Sequence, residues 1–322
     1  MIGDIESGVE ETRMAQREYD SFAIGVLNDG NAVVPLSLSI NVWADVGHTS
    51  EIDFGIQIPH RDDISGFFIF VPFQIEKNDV IDLTPSFRDN EFNQVLFNRD
   101  CETTCRLNRT VVTDARGDSL LVLPISQKGG LTVDKLEGGT FLSFCYDPSV
   151  YPHDYSSLYF RIRLPFVSLD DLLSGPDDMR EVITGPIVPF RTMNSIAVNQ
   201  VRGLPSSVVS KLVDSKTDIG ETHIAVIAPH QWEVNSFLAP YRVRPLENVA
   251  WEKYQPRLNS GNAILHSSGC DMFVYQWLIS DTNTSLQLEF SRKRITFLTL
   301  LFYLAILLLL NLLSEVLIRL VL

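Results

Sequence analysis

Cysteine is scarce in this sequence: Cys101, Cys105, Cys145 and Cys270 are the only four in 322 residues, irregularly spaced. A secreted scaffold that depends on disulfides carries them more densely. Cys101 and Cys105 make one C-x3-C pair, which a disulfide or a metal can use, but there is no second pair and free thiols are expected. Cys145 lies within the apolar run TFLSFCY, where a thiol is expected to pack rather than react. Positive charge is also short. Twenty-six Lys and Arg stand against 40 Asp and Glu, a net charge of -14. Nucleic-acid binding draws on cations that neutralise phosphates, and no basic stripe precedes Arg292, so nucleic acid is not expected as a partner. The opening MIGDIESGVEETRMAQREYD has neither a basic n-region nor an apolar h-region, and Ile2 breaks the myristoylation pattern. The chain is therefore expected to be made in the cytosol.

The usual chemical signatures are missing too. There is no glycine loop of the phosphate-cradling kinds, no G-x-S-x-G elbow and no H-E-x-x-H pair. The six histidines, His48, His60, His153, His223, His230 and His266, are dispersed. His153-Asp154 with Asp147 falls in the turn-rich YDPSVYPHDYSS, which reads as loop capping because no third ligand can be placed. His223 and His230 flank the strand-like IAVIAP seven residues apart, a spacing that puts them on opposite strand faces. Cys145 and His153 are weighed as a nucleophile and base and set aside for the packing reason above. The pairs Asp62-Asp63, Asp170-Asp171 and Asp177-Asp178 read as solvated turns, without the D-x-D-x-D-G spacing of a calcium loop. No catalytic residue, cofactor or metal ligand is assigned, and no motif calls for an enzyme.

What the sequence does contain is strand pattern. With 45% hydrophobic and 10% aromatic residues it can bury a sizeable core. SFAIGVL and VVPLSLSINVWADV lie either side of Asn28-Asp29-Gly30-Asn31, which reads as a hairpin. EIDFGIQI, GFFIFVPFQI, TVVTD, SLLVLPIS, LTVDKL, TFLSFCYD and LYFRIRLPF follow at roughly ten-residue intervals between Gly- and Asp-rich turns. In LYFRIRLPF, Tyr159, Arg161 and Arg163 share one face while Phe160, Ile162 and Leu164 share the other. DNEFNQVLFN and LPSSVVSKLVDSK read as short helices. The expectation is a mainly β, antiparallel sandwich- or barrel-like body with a few short helices and one C-terminal transmembrane helix.

Five segments follow from these patterns. Residues 1–20 form an acidic arm, 21–167 a first β-rich domain and 168–220 a Gly-Pro-interrupted connector with short helices. Residues 221–291 form a second β-rich part, or else complete the first fold, and 292–322 form a membrane anchor. In that tail no charge occurs from Ile295 to Leu313, a run that reaches ~29 Å as a helix, about the thickness of a hydrocarbon core. Arg292, Lys293 and Arg294 precede it with no equal cluster behind, which predicts a cytosolic body. That side also makes Asn108-Arg109-Thr110 and Asn283-Thr284-Ser285 meaningless as glycosylation acceptors, and Arg116-Gly117-Asp118 reads as a turn. Asn311, Glu315 and Arg319 recur by fours near the end. They read either as a far-interface pair or as a polar stripe for helix–helix association.

The functional expectation is a tail-anchored, single-pass protein. Its cytosolic module binds a partner, and its helix oligomerises or perturbs the bilayer. Prokaryotic defence effectors share that plan, an analogy of architecture alone. A passive adaptor, a structural or virion-membrane component, and a membrane-bound hydrolase are the alternatives. Expected partners are membrane lipids and a protein, including a second copy.

Overall fold

Alternation along the strands sends every second side chain into a common interior. The computed structural model describes residues 19–46, 49–106, 109–125, 130–151, 155–165, 190–230, 232–238, 240–246, 251, 254–255, 272–280, 284–292 and 297–321. The first half contains β1 (Ser21–Asn28), β2 (Val34–Val46), β3 (Thr49–Pro59), β4 (Ile64–Val71), β5 (Ile81–Asp82), α1 (Asn90–Phe97), β6 (Cys101–Arg106), β7 (Arg109–Asp114), β8 (Ser119–Val122), β9 (Leu131–Leu136), β10 (Gly139–Cys145) and β11 (Ser157–Pro165). The second half contains β12 (Phe190–Val198), α2 (Ser206–Ser215), β13 (Thr217–Pro229), β14 (Glu233–Ser236), β15 (Arg242–Pro245), β16 (Met272–Ile279), β17 (Thr284–Arg292) and α3 (Phe297–Val321).

The strands form a sandwich of two sheets. One has seven strands in the order β14-β17-β12-β1-β4-β10-β9. The other has ten, in the order β15-β16-β13-β2-β3-β11-β8-β7-β6 with β5 beside β11. No pairing among the described residues closes the sheets into a barrel. Facing rows such as Phe22, Ile24 and Val26 of β1 and Leu38, Ile40 and Val42 of β2 form the shared core. Each such side chain contributes roughly 1.5–3 kcal/mol by leaving water. Phe22 meets Phe54 edge-on at 5.3 Å between ring centres.

The pairings depart from the expected antiparallel plan in three places: β1 with β12, β2 with β13, and β8 with β11 run parallel. The expected hairpin does not form either, because β1 and β2 lie in different sheets. Residues 29–33 instead turn the corner between the sheets. There Asn28 Oδ1 accepts from Gly30 N at 2.7 Å, and Asp29 N donates to Asp63 O at 3.0 Å. A Cβ on Gly30 would meet Asp63 Oδ2 at 2.2 Å, so a larger residue there would push the Asp63 side chain aside. Hairpins and sheet-to-sheet corners draw on the same turn residues. What separates them is burial: β1 is buried on both faces, as a central strand must be.

The stretch 168–220, expected as a connector, carries β12, which sits between β1 and β17 inside the seven-stranded sheet. β12 and β13 repeat the path of β1 and β2 beside them, one strand in each sheet, so both β-rich stretches of the sequence contribute to one core. Both expected short helices form. Asp89 caps α1 by accepting from Glu91 N and Phe92 N. α2 covers the outer face of the seven-stranded sheet, where Val208 and Leu204 pack on Ala23, Phe68, Phe70 and Phe141. α3 follows β17 after four residues; its stretch Leu300–Ile318 has a mean hydropathy of 2.4 and none of it is buried. It is one helix long and apolar enough to cross a membrane.

Candidate functional site

The outward face of the ten-stranded sheet is not simply solvated. Register places Ser39 of β2 beside His223 of β13 and Gly55 of β3, with Gly55 next to Arg161 of β11. One pleat along, Asn41 lies beside Asp53, and Asp53 beside Arg163. On the other side, Ser37, Gln57 and Tyr159 form a third row. Both arginines are buried, at 0% and 3% exposure. The lid over them comes from the end of α1 and from Trp251, Tyr254 and Gln255.

Burying charge costs several kcal/mol per ion unless partners replace the lost water. Arg163 has the stronger set. Its Nε donates to Asp53 Oδ1 at 2.6 Å, Nη2 donates to Asp53 Oδ2 at 3.1 Å, and Nη1 donates to Gln255 Oε1 at 3.0 Å. Glu51 lies 3.4 Å from the same guanidinium and accepts from Gln255 Nε2. Asp53 also accepts from Trp43 Nε1 and Tyr254 Oη, both at 2.7 Å. Burial pushes the Asp53 carboxyl up. The two guanidiniums and the donated hydrogen bonds outweigh that push and hold it below the usual carboxylate range. Burial likewise pushes the Tyr254 hydroxyl up, so it stays a donor.

Arg161 is compensated differently. Its Nη2 is 3.9 Å from Asp53, beyond hydrogen-bond reach. Its Nε donates to Tyr254 Oη at 2.5 Å, and its Nη1 donates to Tyr159 Oη at 2.9 Å and Ser39 Oγ at 3.0 Å. With the Asn41 amide oriented to satisfy both ends, its oxygen accepts from Nη2 at 2.7 Å. A Cβ at position 55 would fall 2.1 Å from Tyr159 Oη, 2.3 Å from Ser39 Oγ and 2.7 Å from Arg161 Nη1. Glycine in mid-strand is what leaves room for this cluster.

Above the cluster opens a groove of about 410 Å³. Ser37, Ser39, Asn41, Gln57 and Tyr159 form its floor. Leu96, Phe97, Asn98 and Arg99 at the end of α1 make one wall, and Glu221, His223, Tyr241 and Gln276 make the other. Arg99 pairs with Asp114 at 3.1 Å, and Glu221 lies 3.8 Å from His223. The volume falls in the range of small-ligand sites.

The residues singled out in the tail are placed as follows. Arg292 ends β17, while its side chain, Lys293 and Arg294 lie outside the described residues. Asn311 is exposed on α3, and the helix runs through Glu315 and Arg319, whose side chains also lie outside the description. So do His48, His153, Asp154, His266, Cys270, Asn108, Asn283 and residues 1–18. Cys101, Cys105 and Cys145 are free. Cys145 is not packed as expected. It is the last residue of β10, where the strand leaves the core, and it is exposed. Among the described residues no three His, Cys, Asp or Glu side chains group to hold a metal. The groove itself escaped the sequence reading, although two arginines on one face of LYFRIRLPF and a glycine inside EIDFGIQI were its signals. No protein-family model matches the chain and no curated protein matches it, so the groove and the C-terminal helix carry the functional reading.

Proposed function

We propose that this is a tail-anchored receptor: a cytosolic β-sandwich that binds a ligand or partner in the groove, on a helix that crosses the bilayer and self-associates. The observation that carries the reading is the continuity of β17 into α3, with four residues between Arg292 and Phe297. β17 is held between β12 and β14, so a shift in the sandwich has little slack through which to be lost before the helix. Among the described residues, thirteen Leu, Ile and Val side chains of α3 are more than a third exposed. Leaving such a surface in water costs on the order of 10–20 kcal/mol, which a bilayer removes. Arg292, Lys293 and Arg294 favour a cytosolic body, and Asn311 with Glu315 and Arg319 supplies a polar stripe for a neighbouring helix.

The test compares the full chain with one ending at Arg294, which keeps β17 whole. The full chain is expected to stay with membranes through an alkaline wash, with its body digestible from the cytosolic side, while the shortened chain is soluble. Loss of membrane potential on expressing only the full chain supports a membrane-acting helix. An unchanged potential with intact anchoring reduces the helix to a passive anchor. A full chain that washes off overturns the reading.

A further inference from the structure

The hydroxyls on the groove floor point to what the groove takes. Arg161 Nη1 donates to both the Ser39 and Tyr159 oxygens, so neither hydroxyl's own hydrogen points at the guanidinium. The two oxygens are 3.4 Å apart, close enough to share at most one hydrogen. At least one O–H is therefore directed away from the cluster, and the open groove lies on that side. It is polarised by a buried cation whose closest carboxylate, at 3.9 Å, already accepts from Arg163, Trp43 and Tyr254. A donor backed in this way favours an acceptor, and an oxyanion most of all. The cluster beneath the floor balances two arginines against Asp53 and Glu51, and Arg161 is the member that hydrogen-bonds the floor hydroxyls.

The walls describe the rest of the ligand. Phe97 and the largely exposed Tyr241 offer flat apolar faces. Gln276 Oε1 is a buried acceptor with no hydrogen-bond partner among the described residues, on a side chain that lines the groove wall. Glu221 is the one acidic residue lining the groove among the described residues, and it sits 3.8 Å from His223. We infer that the groove binds a small organic anion, its carboxylate or phosphate seated on Ser39 and Tyr159 over Arg161, and its planar hydrogen-bonding body between Phe97 and Tyr241. The inference rests on the groove being the receptor's ligand site.

Titration calorimetry on the full chain in detergent micelles tests it with four probes. These are adenosine monophosphate for a phosphate, indole-3-acetate for a planar carboxylate, adenosine as the neutral body, and inorganic phosphate alone. At least one of the two organic anions is expected to bind at least tenfold tighter than adenosine and than inorganic phosphate, and which one does so assigns the oxyanion. Ser39→Ala is expected to weaken that binding by roughly tenfold, the size of one hydrogen bond to a charged group. Ser39→Asp should abolish it while leaving Tm unchanged or raised, because the new carboxylate occupies the anion seat. Adenosine binding as tightly as the anions, or anion binding indifferent to both substitutions, overturns the oxyanion but leaves a groove receptor standing. Binding of none of the four overturns the inference, while the membrane reading is decided separately by the alkaline wash.

Discussion

Asp53 holds the densest set of charged hydrogen bonds among the described residues, and its removal is the sharpest test of what that set contributes. Asp53→Asn keeps the shape but leaves Arg161 and Arg163 without the carboxylate between them. The expected cost is roughly 3–5 kcal/mol, read from chemical denaturation. Since the folded carboxyl titrates below its unfolded value of about 3.9, its contribution is complete above that pH. It is lost as pH falls from there through the folded value. The wild-type protein should therefore show a steeper loss of stability below about pH 4 than Asp53→Asn, and equal slopes would refute the assignment. The two arginines should also differ. Arg163→Met strands Asp53 and is expected to cost roughly 3–5 kcal/mol. Arg161→Met removes a cation whose nearest carboxylate is 3.9 Å away and recovers part of its burial penalty, so its cost should be smaller, about 1–2 kcal/mol. Equal costs would mean that Asp53 serves both alike.

Among the elements, β11 and α3 show how far local pattern reaches. The alternation of LYFRIRLPF fixed which side chains share a face, and the strand Ser157–Pro165 keeps that division. Nothing within nine residues said that the arginine face would also be buried, because its lid comes from α1 and from Trp251 to Gln255, remote in sequence. The parallel pairing of β1 with β12 was hidden for the same reason: Ser21 meets Ala197 across the fold, and no short-range signal links them. The short helix within DNEFNQVLFN and the apolar run of α3 were legible because helical pattern and hydropathy are local. For α3 the prediction concerns Asn311, an exposed amide that interrupts a run of leucines. Asn311→Leu should leave membrane insertion intact and weaken self-association by about 1–2 kcal/mol, five- to thirtyfold in the dimerisation constant, measured by sedimentation in detergent. An unchanged constant would remove Asn311 from the helix contact.

At the scale of the molecule, the interleaving of early and late strands has a consequence for folding. β1 depends on β12 for one edge and on β4 for the other, and β2 stands likewise between β13 and β3. A chain ending at residue 167 would keep β4, β9 and β10 beside β1, but it would lose β12, β14 and β17 from one sheet and β13, β15 and β16 from the other. It would expose the paired edges of β1 and β2 along with core faces such as Ile24, Val26, Leu38 and Ile40. Open, apolar central strands seek other chains. Residues 1–167 alone are therefore expected to aggregate rather than fold. By contrast, residues 1–294 should unfold in one transition, with Trp fluorescence and far-UV circular dichroism coinciding. Trp43 reports on the outer face of the ten-stranded sheet and Trp277 on the shared core, so fluorescence samples both layers. Two separated transitions, or a soluble, cooperatively folded 1–167, would mean that the halves hold their structure independently. A shift of the groove could then no longer be expected to pass through β12 and β17 into the helix.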